Sequence, residues 1–134
     1  MEGIKRFFIE NDQFASHSGI ELLEIATGYA KVKMIIKDYH LNGAKVVHGG
    51  AIFTLADFAF AVAANSHARL ALGVNATIAY TKAASSGVLY AEAREISLSN
   101  SLGNYSVNIT DDQGNLVAVF QGTAFRKKNL LPIE

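Results

Sequence analysis

The sequence predicts an α+β protein in which an antiparallel sheet is built around one long buried helix, and three observations carry that prediction. The stretch Ala51–Ala64 is almost uniformly apolar and rich in alanine, with a single charge, Asp57, near its middle. The second half of the chain alternates apolar and polar residues with a period of two between short turn signals, the pattern of half-exposed strands joined as an antiparallel sheet. Half of the 134 residues are hydrophobic, enough to form a real core in a single domain over residues 1–134.

In chain order, Ile4, Phe7, Phe8 and Phe14 recur at roughly helical spacing with charges between them. That predicts a short amphipathic helix over residues 3–14, packing on the domain edge or partly lidding a pocket. Ser16–Gly19 reads as a turn. Gly28 sits at a turn just before a strand in which Ala30, Val32, Met34 and Ile36 alternate with Lys31, Lys33 and Lys37. Asp38–Val47 has no clear period and holds the turn pair Asn42-Gly43. It delivers the chain to His48-Gly49-Gly50 and to the apolar helix, which starts at Gly50 or Ala51 and exits at Asn65-Ser66. His67–Gly73 is a connection. Strands then follow through Val74–Thr81, Val88–Leu98, Tyr105–Thr110 and Leu116–Ala124, with a hairpin turn at Asp111–Asn115. No internal repeat, low-complexity tract or linker interrupts the pattern.

The apolar run is too short to span a bilayer, so it reads as a helix buried on all sides. One sheet covers one side; loops or a second subunit should cover the other. Burying a carboxylate is costly unless it is paired or used, which singles out Asp57. Twelve basic and twelve acidic residues balance, so a general nucleic-acid or membrane binder is not indicated. There are no cysteines, which removes thiol nucleophiles, thiolate metal sites and disulfides. The N-terminal residues lead into an acidic, Phe-containing segment rather than a signal core, so a cytoplasmic location is expected. His17, His40, His48 and His67 lack the spacing of a metal site, and no metal is expected. Neither a Gly-x-Ser-x-Gly elbow nor a P-loop nor a dinucleotide fingerprint occurs.

His48-Gly49-Gly50, Asp57 within the helix and Asn65-Ser66 at its end together resemble the hot-dog-fold acyl-CoA thioesterases of the phenylacetate-degradation type. Asn42-Gly43 ahead of His48, Thr77–Ala84 and Ile109–Ala118 are similar to that family as well. The likeness covers residues 14 to 127. It implies a hot-dog fold, a curved antiparallel sheet wrapped around the central helix, with dimers formed through the sheets and assembled into a homotetramer. It also implies that His48 shapes the loop and polarises the site, and that Asn42 orients water or the His48 loop.

Thioester hydrolysis needs stabilisation of the carbonyl oxygen and an attacking water or carboxylate. Glycine amides at a helix N-terminus, here Gly49 and Gly50, supply the first; Asp57 supplies the second, as general base or as nucleophile. Asp57 lies eight residues beyond Gly49, about 12 Å along a helix, too far for both to act on one carbonyl. A shared site therefore takes the two groups from different chains of a homo-oligomer. Lys82, Arg69 and Arg126-Lys127-Lys128 are candidates for the coenzyme A phosphates, and Asn65 and Ser66 for ligand contact. Phe53, Phe58, Phe60, Tyr39 and Leu41 either line an acyl pocket or belong to the core. No cofactor is expected beyond the CoA carried by the substrate. Two other readings remain: an acyl-CoA-binding or sensing module, which would not need Asp57, and an enoyl-CoA hydratase or dehydratase with His48 as base, whose His-to-acid context is not matched.

Overall fold

The computed structural model describes residues 1–133. Two short helices, α1 (Glu2–Asn11) and α2 (Gln13–His17), lead into the hairpin β1 (Ile20–Ala26) and β2 (Tyr29–Ile35). A loop with one 3-10 turn, Asp38–His40, carries the chain to α3 (Gly49–Ala64). Four strands complete the chain: β3 (Arg69–Tyr80), β4 (Val88–Leu98), β5 (Leu102–Asp111) and β6 (Leu116–Leu130). All six strands form one antiparallel sheet in the order β1-β2-β4-β5-β6-β3. α3 contacts every one of them. A flat sheet of six strands is about 24 Å across, more than twice the width of a helix, so those contacts require the sheet to curl around α3. This is the hot-dog fold.

The alanines explain how the curl closes. Ala56, Ala59 and Ala63 of α3 and Ala30, Ala91, Ala93, Ala118 and Ala124 of the sheet are all fully buried, and small side chains on both surfaces let helix and sheet approach closely. Phe60 is the exception, and glycine makes its space. A Cβ at Gly73 or Gly122 would lie 2.9 Å from its ring. The ring also packs against Tyr105 and Phe120 at 5.7 Å between centroids. Phe58 and Phe60 are therefore core residues, and Phe53 leans on Phe120 at 5.4 Å. Burying one such ring contributes about 1.5–3 kcal/mol.

Several boundaries differ from the sequence expectation. The N-terminal helix divides at Asp12, whose carboxylate accepts the Ala15 N–H at 3.0 Å and starts α2. A hairpin, not a single strand, precedes the central helix. β1 escapes the period-two test because a bulge between Leu22 and Glu24 shifts its register. β3 begins at Arg69, inside the segment expected to be a connection, and bulges there and at Gly73 blur its alternation. α3 starts at Gly49 and runs on through the 3-10 turn Asn65–His67. Gly49–His67, 19 residues with mean hydropathy 1.2, is long and apolar enough to cross a membrane by length and composition, but the sheet wraps most of it; the expected burial on all sides fails on the face of Gly50 and Asp57, which the sheet leaves exposed. β3 is an edge strand, with Leu72 and Val74 exposed along it.

Candidate active site

An α-helix begins with four N–H groups that lack helical partners, and in α3 three of them are taken. The N-cap His48 N–H donates to the His40 carbonyl at 2.7 Å, and the Ala51 N–H donates to the His48 carbonyl at 2.9 Å. The Gly50 N–H donates to His48 Nδ1 at 2.8 Å. The Gly49 N–H has no protein acceptor among the described residues. The two expected donors thus differ: Gly50 caps the helix internally, and the Gly49 amide is free for a ligand. Because Nδ1 accepts, neutral His48 carries its proton on Nε2 and presents a donor there.

The Gly49–Gly50 peptide is held from both ends. The Tyr80 hydroxyl donates to the Gly49 carbonyl at 2.8 Å, and the His48 ring holds the Gly50 N–H. A Cβ on Gly49 would lie 3.0 Å from the Tyr80 hydroxyl oxygen, so the position favours glycine for space. The His48 loop is anchored in turn through His40. The His48 N–H donates to the His40 carbonyl at 2.7 Å. The buried His40 ring accepts from Lys37 N–H at 2.9 Å and donates from Nε2 to the Ser18 carbonyl at 2.7 Å.

Asp57 lies two turns further along the same unbroken helix, about 12 Å from Gly49 by helical rise. It shares a helix face with Gly50 and Thr54, whose hydroxyl donates to the Gly50 carbonyl at 2.7 Å. Asp57 opens to solvent on one side of the single chain, while protein crowds the other. Desolvation first, and the nearby Asp12 carboxylate second, raise its pKa above the ordinary 3.8. A carboxyl so perturbed is a stronger base than a free aspartate.

The remaining expected residues are placed elsewhere or engaged. The Asn42 side-chain oxygen accepts from the Ala44 and Val46 N–H groups at 2.9 and 3.3 Å, closing its own turn. Asn65 and Ser66 are buried at the far end of α3. Asn65 bonds the Ala61 carbonyl and both backbone groups of Ala71, and Ser66 bridges Gly28 and Ala63. Sixteen residues of helix separate them from Gly49, about 24 Å. Arg69 spends its guanidinium on the carbonyls of Asn100, Arg126 and Lys127. Arg126 holds the Ser99 carbonyl at 2.6 Å. With Lys127 and Lys128 these arginines border a cleft at that same far end. Lys82 alone of the expected cations borders the groove at Gly49, paired with Asp111 at 3.1 Å.

Sequence reasoning missed Asp12 and Tyr80. Asp12 carries a local signal, an N-cap acid ahead of Gln13. Tyr80 has none, since its partner is Gly49, thirty-one residues away.

Against known proteins, a thioesterase superfamily profile matches residues 44–118. A protein of Archaeoglobus fulgidus with a provisional esterase name is 42% identical over 133 residues, 98% of this chain and 86% of that one. The acyl-coenzyme A thioesterase PaaI of Escherichia coli K12 is 36% identical over 118 residues, 87% of this chain and 84% of that one. The solved structure of the E. coli PaaI protein from the phenylacetic acid degradation operon superposes with a TM-score of 0.91 at 32% identity, covering 94% of this chain and 92% of that one. A point mutant of the phenylacetic acid degradation protein PaaI from Thermus thermophilus superposes with a TM-score of 0.81 at 33% identity, covering 85% and 98%.

Proposed function

The chain belongs to the thioesterase superfamily, and from that premise we propose that it is an acyl-CoA thioesterase cleaving acyl- or aryl-acyl-CoA to free acid and CoA at a site shared between two chains. The observation that carries the reading is the pairing, on one helix, of a single free N-terminal amide with a crowded carboxyl about 12 Å away.

In the scheme, the thioester oxygen of one substrate rests on the Gly49 N–H of one chain, beside the donor Nε2–H of His48. Asp57 of the partner chain takes a proton from water as the water oxygen adds to the carbonyl carbon. The oxyanion formed at Gly49 collapses, the C–S bond breaks, and the CoA sulfur recovers the proton from Asp57. Direct attack by the Asp57 carboxylate, giving an anhydride that water then opens, uses the same two groups. CoA enters and leaves as part of substrate and product, and no cofactor is invoked. The His48 ring works as cap and donor, because its Nδ1 lone pair is committed to Gly50.

Two features support a homodimer that pairs further into a tetramer. β3 pairs with β6 on one side and leaves its outer edge open, and on it Leu72 is 53% and Val74 62% exposed, a surface that folded proteins normally cover. The site itself needs a second chain. We place the enzyme in the cytoplasm.

The test is hydrolysis of an acyl-CoA panel by wild type and Asp57→Ala. Turnover that collapses in the variant supports the reading. Tight binding without turnover points to a binding module, and turnover indifferent to the substitution removes Asp57 from the chemistry.

A further inference from the structure

The loop that delivers the chain to α3 contains a small antiparallel hairpin, and its turn opens with Asn42-Gly43. Leu41 bridges Val47. On either side of that bridge, Asn42 N–H donates to the Val46 carbonyl at 2.8 Å and His48 N–H to the His40 carbonyl at 2.7 Å. One short ladder therefore both closes the Asn42 turn and holds His48. Asn42 is the only asparagine in the chain that is followed by glycine.

We propose that Asn42 is a site of spontaneous deamidation, and that its isoaspartyl product loosens the hairpin that holds His48. The Gly43 nitrogen bonds to the side-chain carbon Cγ of Asn42, the Cγ–Nδ2 bond breaks, and Nδ2 leaves as ammonia with the proton from Gly43. Water then opens the succinimide. Addition at Cγ gives aspartate, and addition at the main-chain carbonyl carbon gives isoaspartate. An amide and water become an acid and ammonia, and nothing is oxidised or reduced.

The atoms of this reaction are each free or activated. The attacking Gly43 N–H has no protein acceptor among the described residues, and Gly43 is exposed. With no Cβ, glycine leaves the closing ring unhindered. The leaving nitrogen is unheld, because the Asn42 side chain bonds through Oδ1 alone. The carbon under attack is polarised, since Oδ1 accepts from the Ala44 and Val46 N–H groups at 2.9 and 3.3 Å. Donors aimed at a carbonyl oxygen stabilise the charge that attack builds there. Asn65 and Asn100 precede serine, whose Cβ crowds the ring. Asn65 is also 3% exposed, and its Nδ2 is held by the carbonyls of Ala61 and Ala71 at 2.8 and 3.1 Å.

The two products differ in what they keep. Aspartate retains a side-chain oxygen for Ala44 and Val46. Isoaspartate carries the main chain through Cβ and makes it one atom longer. The bonds from Asn42 N–H to Val46 and from Lys45 N–H to the Asn42 carbonyl, at 2.8 and 3.0 Å, then lose their alignment.

The experiment ages the full chain in mildly alkaline buffer beside Gly43→Ala. Peptide mass mapping and isoaspartyl methyltransferase labelling follow the chemistry; melting curves and amide hydrogen exchange follow the structure. Gly43 does not have a positive φ, and a Cβ there meets nothing within 4 Å, so the alanine variant keeps the turn and hinders only the ring closure. In wild type the Asn42 peptide should convert from amide to acid before any other asparagine peptide, with isoaspartate at that position, and Gly43→Ala should slow this severalfold. Aged wild type should lose roughly 2–6 °C in Tm for each backbone bond lost, and its His48 amide should exchange faster. Aged Gly43→Ala should match its fresh sample. Fresh Asn42→Asp should melt as wild type does, which assigns the loss to the isoaspartyl backbone. Earlier conversion at Asn65 or Asn100, equal rates in wild type and Gly43→Ala, or isoaspartate at position 42 with melting and His48 exchange unchanged would each overturn the proposal. None of these readouts depends on thioester hydrolysis.

Discussion

Replacing Gly49 with proline deletes one hydrogen-bond donor and little else. Proline has no N–H, and the Gly49 N–H has no protein acceptor among the described residues, so no internal bond is lost. Gly49 is the first residue of α3, the helical position where proline is best tolerated. His48 before it has φ −60° and ψ 135°, the extended conformation that a following proline demands. The one steric cost is the new Cβ, 3.0 Å from the Tyr80 hydroxyl oxygen. Gly49→Ala makes the same contact while keeping the N–H, and is therefore the internal control. If Tyr80 shifts and its bond to the Gly49 carbonyl is lost, both variants lose about 0.5–1.5 kcal/mol of stability. For a chain of 134 residues that corresponds to roughly 2–6 °C in Tm. Losing an oxyanion donor costs about 10²–10³ in kcat, and the proline variant should lose that much relative to the alanine variant at similar KM. The assay is steady-state hydrolysis of one acyl-CoA by the three proteins, with melting curves beside it. Equal kcat for Gly49→Pro and Gly49→Ala would refute the role of this amide.

Two further predictions concern the carboxyls. The raised folded pKa of Asp57 means that its contribution to stability is fully present below its unfolded pKa of 3.8. That contribution is lost as pH rises through the folded value. Asp57→Asn should therefore melt higher than wild type at pH 7 and match it near pH 3 while losing hydrolysis; a lower Tm at pH 7 would contradict the crowding argument. Asp12→Asn keeps an oxygen to cap Ala15 but removes the second cause of the Asp57 shift. The acid limb of kcat/KM should move to lower pH with the alkaline side unchanged, and an unmoved limb would detach Asp12 from the site.

The parts of this molecule that were legible in its sequence are those set by local composition. The central helix is apolar on every face but the one that carries Gly50, Thr54 and Asp57, and its exit at Asn65 is written in a side chain that bonds nearby backbone. β2, β5 and β6 alternate because one face meets α3 and the other meets water. β1 and the first turns of β3 were not legible, because bulges at Leu22 and Gly73 break the alternation that marks a strand. At the site, the glycines and Asp57 stood out as residue types. The inequality of the two glycine amides did not, because it depends on one imidazole nitrogen turning back onto Gly50. The basic residues were legible as charges only. That Arg69 serves three carbonyls and Lys82 faces Asp111 is decided by partners 29 to 58 residues away.

The central claim is that Gly49 of one chain and Asp57 of another make one site. Mixing Gly49→Pro and Asp57→Asn proteins after dissociation and reassembly tests it directly. In a mixed dimer, a shared site built from Gly49 of the Asp57→Asn chain and Asp57 of the Gly49→Pro chain is intact, whereas a site within one chain is damaged in both. Equal mixing should restore about a quarter of wild-type activity, since half the dimers are mixed and each carries one intact site of two. Activity that stays at the level of the separate variants, with mixed dimers shown to have formed, would contradict the account.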